Sequence, residues 1–410
     1  MEENQVSQTH HQQPTNQPRS RDWSWPLWPL LPLYPYGQRQ TLCREILPNT
    51  LWVLEQVQGI LAVIVPIRMT VIKLTQGGLL VYAPIAPTRE CLRLMQGLVA
   101  AHGPVKYIIL PTTSGLEHKV FVGSFGRRFP QAQIYVSPHQ WSFPLNLPLS
   151  WLGLPSDRTH VLPPDSQEAP FNQDFSYAIL GSIDFGLGSF AEVAFFHVPS
   201  CTLLLTDLGV SVPEFPPPIV QQYPAPLLYH AKDHALDSVE DTEANRRKGW
   251  QRIALFAFYF QPSALEVVPF GQSLRDARKA PVKSRQNYFG WFPFCWRSDW
   301  PASFEALHQG GRLFVAPILQ KLILNRAPEA TLNWVQQVAS WNFERVIPCH
   351  LAAPIAVNPP QFQQAFNFLK RPNLPETSLP KSDFACLERI EARLIQQGIL
   401  PSTPHLNSLD

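Results

Sequence analysis

Four side chains able to ligate a metal or move a proton stand at the ends of strand-like stretches. Glu117 and His118 follow VKYIIL (105–110), Asp207 ends TLLLTD (202–207), and His350 ends ERVIPCH (344–350). In layered α/β proteins the ends of strands are where ligands bind. Two carboxylates and two imidazoles form a donor set suited to zinc, iron or manganese. A carboxylate beside such an ion can take a proton as general base, so Asp207 and Glu117 are also the candidate catalytic residues. The structural alternative is that Glu117 and His118 pair with each other or cap their loop. Any one of these residues alone is more often structural; their shared position is what points to chemistry.

The elements that must position these residues can be read from periodicity and punctuation. MTVIKL (69–74) and LLVYAPI (79–85) read as strands joined by Gln76-Gly77-Gly78, with regular structure starting near Thr50. A helix follows: Pro87 and Thr88 open it, Cys91, Leu94, Met95 and Leu98 form its apolar stripe, and Gly103 closes it. VKYIIL, a loop carrying Glu117 and His118, a short helix and IYVSP then complete a strand–helix–strand–helix–strand run, which implies right-handed crossovers and helices packed on a sheet. Residues 141–184 and 213–225 read as Pro-rich and irregular. AEVAFFH (191–197) and TLLLTD read as a hairpin, 242–260, 328–341 and 359–369 as helices, and 273–286 as a basic loop on the solvated surface.

Composition narrows the class. Hydrophobic residues make up 45% of the 410, so the chain is globular. A net charge of +2 argues against nucleic acid as a partner. Forty-three prolines are about twice the usual ~5% share and imply long irregular connections. The six cysteines are scattered without a CxxC pair, which fits a reducing compartment and a cytoplasmic protein. The N-terminus lacks an apolar signal core, and no apolar run approaches the ~20 residues of a membrane span. Trp23–Tyr36, dense in Trp and Pro, reads as an extended surface strap or as a peripheral membrane contact. The expected organisation is a tail and strap (1–45), a first half-domain (46–225), a helical and basic insertion (226–305), a second half-domain (306–372) and a C-terminal helix and tail (373–410).

Weaker candidates accompany these. His230, Asp233 and His234 could add ligands from the insertion, with the two histidines on one helical face, although a polar surface turn explains them as well. His139-Gln140-Trp141 could line the same cleft or stopper the core. No GxSxG elbow or phosphate-cradling glycine loop is present.

The order of these elements, with the acid–His loop, the hairpin ending in TD and the late "VIPCH", resembles the metallo-β-lactamase-like hydrolase fold. More narrowly, "LPTTSGLEHKVF", "QWSFPLNLPLSWLG" and "AFFHVPSCTLLLTD" are similar to a family of uncharacterised cyanobacterial and plastid proteins, the domain of unknown function 4336 type. The resemblance implies an α/β protein, an αββα sandwich with Pro-rich insertions and a metal site at one edge of its sheets. The family motif His-x-His-x-Asp-His falls on Thr113 to His118: Thr113 and Gly115 replace the first two histidines, Glu117 replaces the acid, and His118 is kept. The middle histidine falls near Gly188 or Ser189 and is absent, whereas Asp207 matches the bridging aspartate and His350 the final ligand. By resemblance, then, one metal set is lost and the other, Glu117, His118, Asp207 and His350, is complete. Two functions follow as expectations. One is a single-metal hydrolase of an ester, thioester or phosphoester, using one zinc, iron or manganese ion. The other is a metal-free, non-catalytic descendant that binds a small molecule or protein, including at a membrane surface.

Overall fold

The computed structural model describes residues 20–24, 34–60, 62–141, 148–186, 188–370 and 379–402. Seven strands form the first sheet in sequence order: β1 (Leu42–Leu47), β2 (Leu51–Ile60), β3 (Val63–Lys73), β4 (Leu79–Tyr82), β5 (Val105–Leu110), β6 (Gln133–Val136) and β7 (Thr159–Val161). The first four pair antiparallel and the last four parallel, with α1 (Arg89–His102) bridging β4 to β5 and α2 (Leu116–Gly126) bridging β5 to β6. Thr88 caps α1 by accepting from the Cys91 amide, as its position before the apolar stripe predicts.

The second sheet has five strands, in the order β14 (Ile355–Ala356), β13 (Arg345–Pro348), β10 (Thr202–Leu205), β9 (Ser189–His197) and β8 (Phe175–Asp184). Its first three members in the chain are β8, β9 and β10. A largely helical stretch follows, with α3 (Pro218–Gln221), α4 (Pro224–Ala231), α5 (Glu243–Tyr259), β11 (Leu265–Val267), α6 (Phe270–Lys279), β12 (Phe294–Trp296), α7 (Trp300–His308), α8 (Pro317–Leu322) and α9 (Pro328–Ala339). The chain returns to the sheet as β13 (Arg345–Pro348), parallel to β10, and β14 (Ile355–Ala356), and ends in α10 (Pro359–Gln364) and α11 (Ala385–Gln396). Gly249 lets α4 and α5 cross closely, since a Cβ there would come within 1.8 Å of the Leu227 carbonyl oxygen.

Burial shows why these strands are apolar on both faces. Leu51, Val53, Ile72, Leu80 and Ile109 of the first sheet pack against Phe175, Tyr177, Val193, Phe195, Leu204 and Ile347 of the second. The opposite face of the first sheet, with Leu54, Met69, Val71 and Ile108, packs on Cys91 and Met95 of α1 and Val122 and Phe125 of α2. The outer face of the second sheet, with Leu180, Phe196 and Leu203, packs on α9 through Trp334 and Val338. Helix, sheet, sheet and helix therefore make four layers, the expected αββα sandwich. Each of these fully buried side chains contributes about 2 kcal/mol through removal from water.

Several expectations needed correction. Regular structure begins at Leu42 rather than near Thr50, because β1 carries Arg44 and Glu45 and β2 carries Glu55 and Gln56, which break the apolar pattern. The stretch 141–184 contains β7 and the ten-residue β8, hidden by its proline-rich approach and by Gly181-Ser182. Within 213–225 the prolines open helices, occupying the first turns of α3 and α4 where the lost N–H has no intrahelical partner. The basic 273–286 stretch is in its first half the helix α6. Of the strap, residues 25–33 lie outside the described residues, as do 142–147 of the second family-like stretch. The strap's described ends sit on the domain, Ser24 bridging to Gln38 and Tyr34 to Gly59. No helix among the described residues is long and apolar enough to cross a membrane.

Candidate metal centre

Strand β5 delivers its chain end at Pro111, and a tight polar turn redirects it into α2. Thr112 Oγ1 accepts from the amides of Ser114 and Gly115, each at 3.3 Å. Thr113 Oγ1 donates to the Ser189 carbonyl at 2.9 Å and accepts from the Ala191 amide at 2.8 Å, which ties the turn to β9. Gly115 fits because a Cβ would stand 2.6 Å from Thr112 Cγ2. Two positions where the family motif has histidine thus carry residues used to shape the backbone. The consequence differs from the expected loop placement: Glu117 and His118 are the second and third residues of α2.

His118 is fully buried, and its Nδ1 lies 3.2 Å from the Pro84 carbonyl. That carbonyl can only accept, so Nδ1 carries the hydrogen and Nε2 presents its lone pair; Nε2 has no hydrogen-bond partner. His350 is held in the same manner, its Nδ1 lying 3.1 Å from the Pro66 carbonyl on β3. Its Nε2 lies 3.1 Å from Glu117 Oε1 and 3.2 Å from Asp207 Oδ1. One potential ligand atom from each of Glu117, His118 and His350 falls within 4.8 Å of the others. Asp207, two residues beyond β10, joins the cluster through His350.

Electrostatics follow from burial and this pairing. Burial works to raise the Glu117 carboxyl, but the hydrogen bond and charge of His350 hold it at about 2. Burial works against the His350 imidazolium, yet hydrogen bonds to Asp207 and Glu117 carry it up to about 10. His118 is pushed down by burial and stays neutral. Without an ion, a proton on His350 Nε2 therefore bridges the two carboxylates.

The donor set fits a divalent ion. Both imidazoles have their tautomer fixed by a backbone carbonyl, the usual outer support of a metal-ligating histidine. The orphaned Nε2 of His118 is a buried acceptor with nothing to accept, and such a group is destabilising unless a cation or donor meets it. Glu117, His118 and His350 would be the residues to hold such an ion, and Asp207 stands beside His350.

The supports of this cluster were not singled out from the sequence. Arg68 on β3 donates to the carbonyls of Pro348 and Leu351, on either side of His350, while its other contacts go to Glu55 at 2.6 and 2.9 Å. Glu55 and Arg68 are direct register partners, and both are buried. Glu192 on β9 accepts from the amides of Thr206 at 2.7 Å, Asp207 at 3.0 Å and Leu208 at 3.1 Å, so it fixes the turn that presents Asp207. Burial and the Asp207 charge raise its carboxyl to about 7. The readable signal was the same in both cases: an ionisable residue inside an otherwise apolar strand.

The weaker candidates stand apart from the cluster. Gln140 donates to the Thr112 carbonyl, and Trp141 donates to the Ser189 carbonyl and accepts from Lys119, so this stretch buttresses the turn. His139 adopts positive φ as part of the same bend. Helix α4 ends at Ala231, so His230 and His234 do not share a helical face. His230 is buried, Asp233 pairs with Lys248 and Arg252, and His234 contacts Cys295 at 3.3 Å.

A protein family described as "domain of unknown function (DUF4336)" matches residues 48–368. No functionally curated protein matches. Among solved structures the chain is similar to a metallo-beta-lactamase from Pontibacter korlensis, at 14% identity over 40% of this chain and 70% of that one, TM-score 0.30. It is also similar to a flavodiiron core from Synechocystis, at 9% identity over 81% of this chain and 61% of that one, TM-score 0.40. A third is a flavoprotein from Thermotoga maritima, at 8% identity over 80% and 61%, TM-score 0.39.

Proposed function

The chain belongs to the DUF4336 family, and for this member we propose a single-metal hydrolase acting on an ester, thioester or phosphoester. The observation that carries the reading is His118 Nε2, a buried lone pair without a partner beside His350 and Glu117. His118, His350 and Glu117 would hold one zinc, iron or manganese ion, with Asp207 as the adjoining carboxylate. When bound, the ion would polarise a carbonyl or phosphoryl oxygen and acidify water.

The protein side chains have distinct parts in this reading. The carbonyls of Pro84 and Pro66 keep the two Nδ1 hydrogens in place, so each Nε2 is the nitrogen that can offer a lone pair to an ion. His350 gives up its Nε2 proton before it can ligate. Asp207, the most exposed acid of the cluster at 23% against 15% for Glu117, takes the proton from attacking water as general base. Glu117 fills that part where Asp207 ligates instead. Thr113 and Gly115 supply no second ion, which disfavours a two-metal phosphodiesterase. The test is hydrolysis of 4-nitrophenyl acetate, an acyl thioester and bis(4-nitrophenyl) phosphate by metal-loaded protein and by Asp207→Asn. One substrate should turn over, and the variant should lose at least ~100-fold.

The second reading is a metal-free binding or assembly protein. What favours it is the same His350, whose bonds to Glu117 and Asp207 close as an ion pair with a proton alone.

A further inference from the structure

A cavity of about 310 Å³ lies where α4, α5 and the 285–294 segment meet the β2–β3 turn, and it shares no residue with the metal cluster. Its walls are almost entirely carbon, including Val63, Val65, Phe256, Phe260 and Phe294. Ile60, 68% exposed, and Phe260, 40% exposed, reach solvent at its edge.

Four lining side chains carry polar atoms, and three of them are engaged elsewhere. The Tyr229 hydroxyl donates to the Trp291 carbonyl at 2.9 Å, Trp291 Nε1 donates to Ser273 at 3.1 Å, and the Tyr288 hydroxyl interacts with Tyr36. The fourth is His230. It is 1% exposed, and although the Ala62 backbone is near, neither ring nitrogen makes a well-formed hydrogen bond. Tyr229 and Phe256 stand edge-on to it, with centroids at 5.2 and 5.9 Å.

Burial and the nearby Arg252 charge hold this imidazole neutral, with one donor and one acceptor. A water molecule would be a poor occupant, because a buried water needs two to four polar partners and these walls offer one such side chain. An anion is disfavoured too, since no cation lines the cavity: Arg252 is committed to Asp233, and Lys232 lies over the Tyr229 ring without joining the lining. We propose that this cavity binds a small, uncharged, mostly hydrocarbon molecule carrying a single hydroxyl or carbonyl group, which seats on His230. The site gives the inserted segment a role that does not depend on whether the metal cluster is loaded.

The matched probes are 4-propylphenol and propylbenzene, which differ by one hydroxyl. Calorimetry on the full chain should show 4-propylphenol saturating one site, with propylbenzene roughly tenfold weaker, the size of one buried hydrogen bond. His230→Phe should remove the difference between the two, and Ala257→Trp, which fills the cavity, should abolish binding of both. In wild-type protein the Cε1–H signal of His230, assigned by its loss in His230→Phe, should shift with 4-propylphenol. This readout decides the matter if a variant does not fold. Absence of saturable binding, equal affinity for both probes, unchanged binding in Ala257→Trp, or binding that leaves the His230 signal unmoved would each overturn the proposal.

Discussion

Glu117 and His350 are 233 residues apart in the chain, yet Oε1 of one lies 3.1 Å from Nε2 of the other. Three devices make that contact: the Thr112 turn that starts α2, the Pro66 carbonyl that orients the His350 ring, and the Arg68 grip on the backbone around it. If the contact is a metal site, each device has a measurable consequence.

His118→Phe keeps an aromatic ring in a buried position but removes the unpartnered Nε2. It should weaken metal binding by more than the 10–100-fold typical of losing an outer support. Loss of the bond to Pro84 should lower stability by about 1 kcal/mol. Metal titration and urea unfolding check the two effects separately; unaltered metal affinity would remove His118 from the ligand set.

Arg68→Ala should be among the most damaging substitutions. It frees the carbonyls of Pro348 and Leu351 and leaves the buried Glu55 charge with Arg44 as its remaining partner. Breaking a buried pair outright costs about 3–5 kcal/mol, and the retained Arg44 contact brings the expected loss to about 2–3 kcal/mol. A urea midpoint within about 1 kcal/mol of wild type would show that Arg68 does not set the His350 backbone.

Glu192→Gln replaces one carboxylate oxygen by an amide nitrogen that cannot accept. At least one of the amides of Thr206, Asp207 and Leu208 then loses its partner. The expected cost is about 1–3 kcal/mol, accompanied by lower hydrolytic activity because Asp207 is no longer fixed. Wild-type activity with wild-type stability would contradict this role.

The stability contributed by His197 and His230 should fall with acid earlier than carboxylate titration would cause. Burial, assisted by Arg252, holds His230 down at about 3, and burial holds His197 at about 4 against an opposing pull from Asp174. Both folded values lie below the ordinary 6.5, so the unfolded chain binds protons first as pH drops. The stability from these two groups is complete above about pH 6.5 and is lost between there and pH 3–4, at roughly 1.4 kcal/mol per unit for each. His350 and Glu192, both raised in the fold, act in the opposite direction over the same range, so the check is a comparison. The change in unfolding free energy between pH 7.5 and 5.5 should differ by about 2 kcal/mol between wild type and the His197→Phe, His230→Phe double variant, and an identical change would contradict the assignment.

Much of the site was legible because ligands at strand ends leave a local trace. Glu117, His118, Asp207 and His350 each follow an apolar run that stops abruptly, and the structure gathers all four within one chain of contacts. Their supports are less visible because they act across the sheets. Nothing near Arg68 in sequence reveals that its guanidinium meets residues 348 and 351, and Glu192 shows itself only as a charge within AEVAFFH. Strand β8 escaped for a different reason: Gly181-Ser182 and the shift in its pairing with β9 between Leu180 and Ile183 break the alternation that marks a strand. The prolines of α3 and α4 misled in the opposite direction, since at a first helical turn proline is an initiator.

The central claim is tested most directly by counting metal. Wild-type protein, purified without an affinity metal and then dialysed with zinc, iron(II) or manganese, should carry close to one equivalent of one of them by mass spectrometry. The Glu117→Ala, His350→Ala double variant should carry almost none. A wild-type chain that stays metal-free under all three conditions, with unfolding unmoved by chelator, would contradict the account and leave the Glu117–His350–Asp207 contacts as an ion pair.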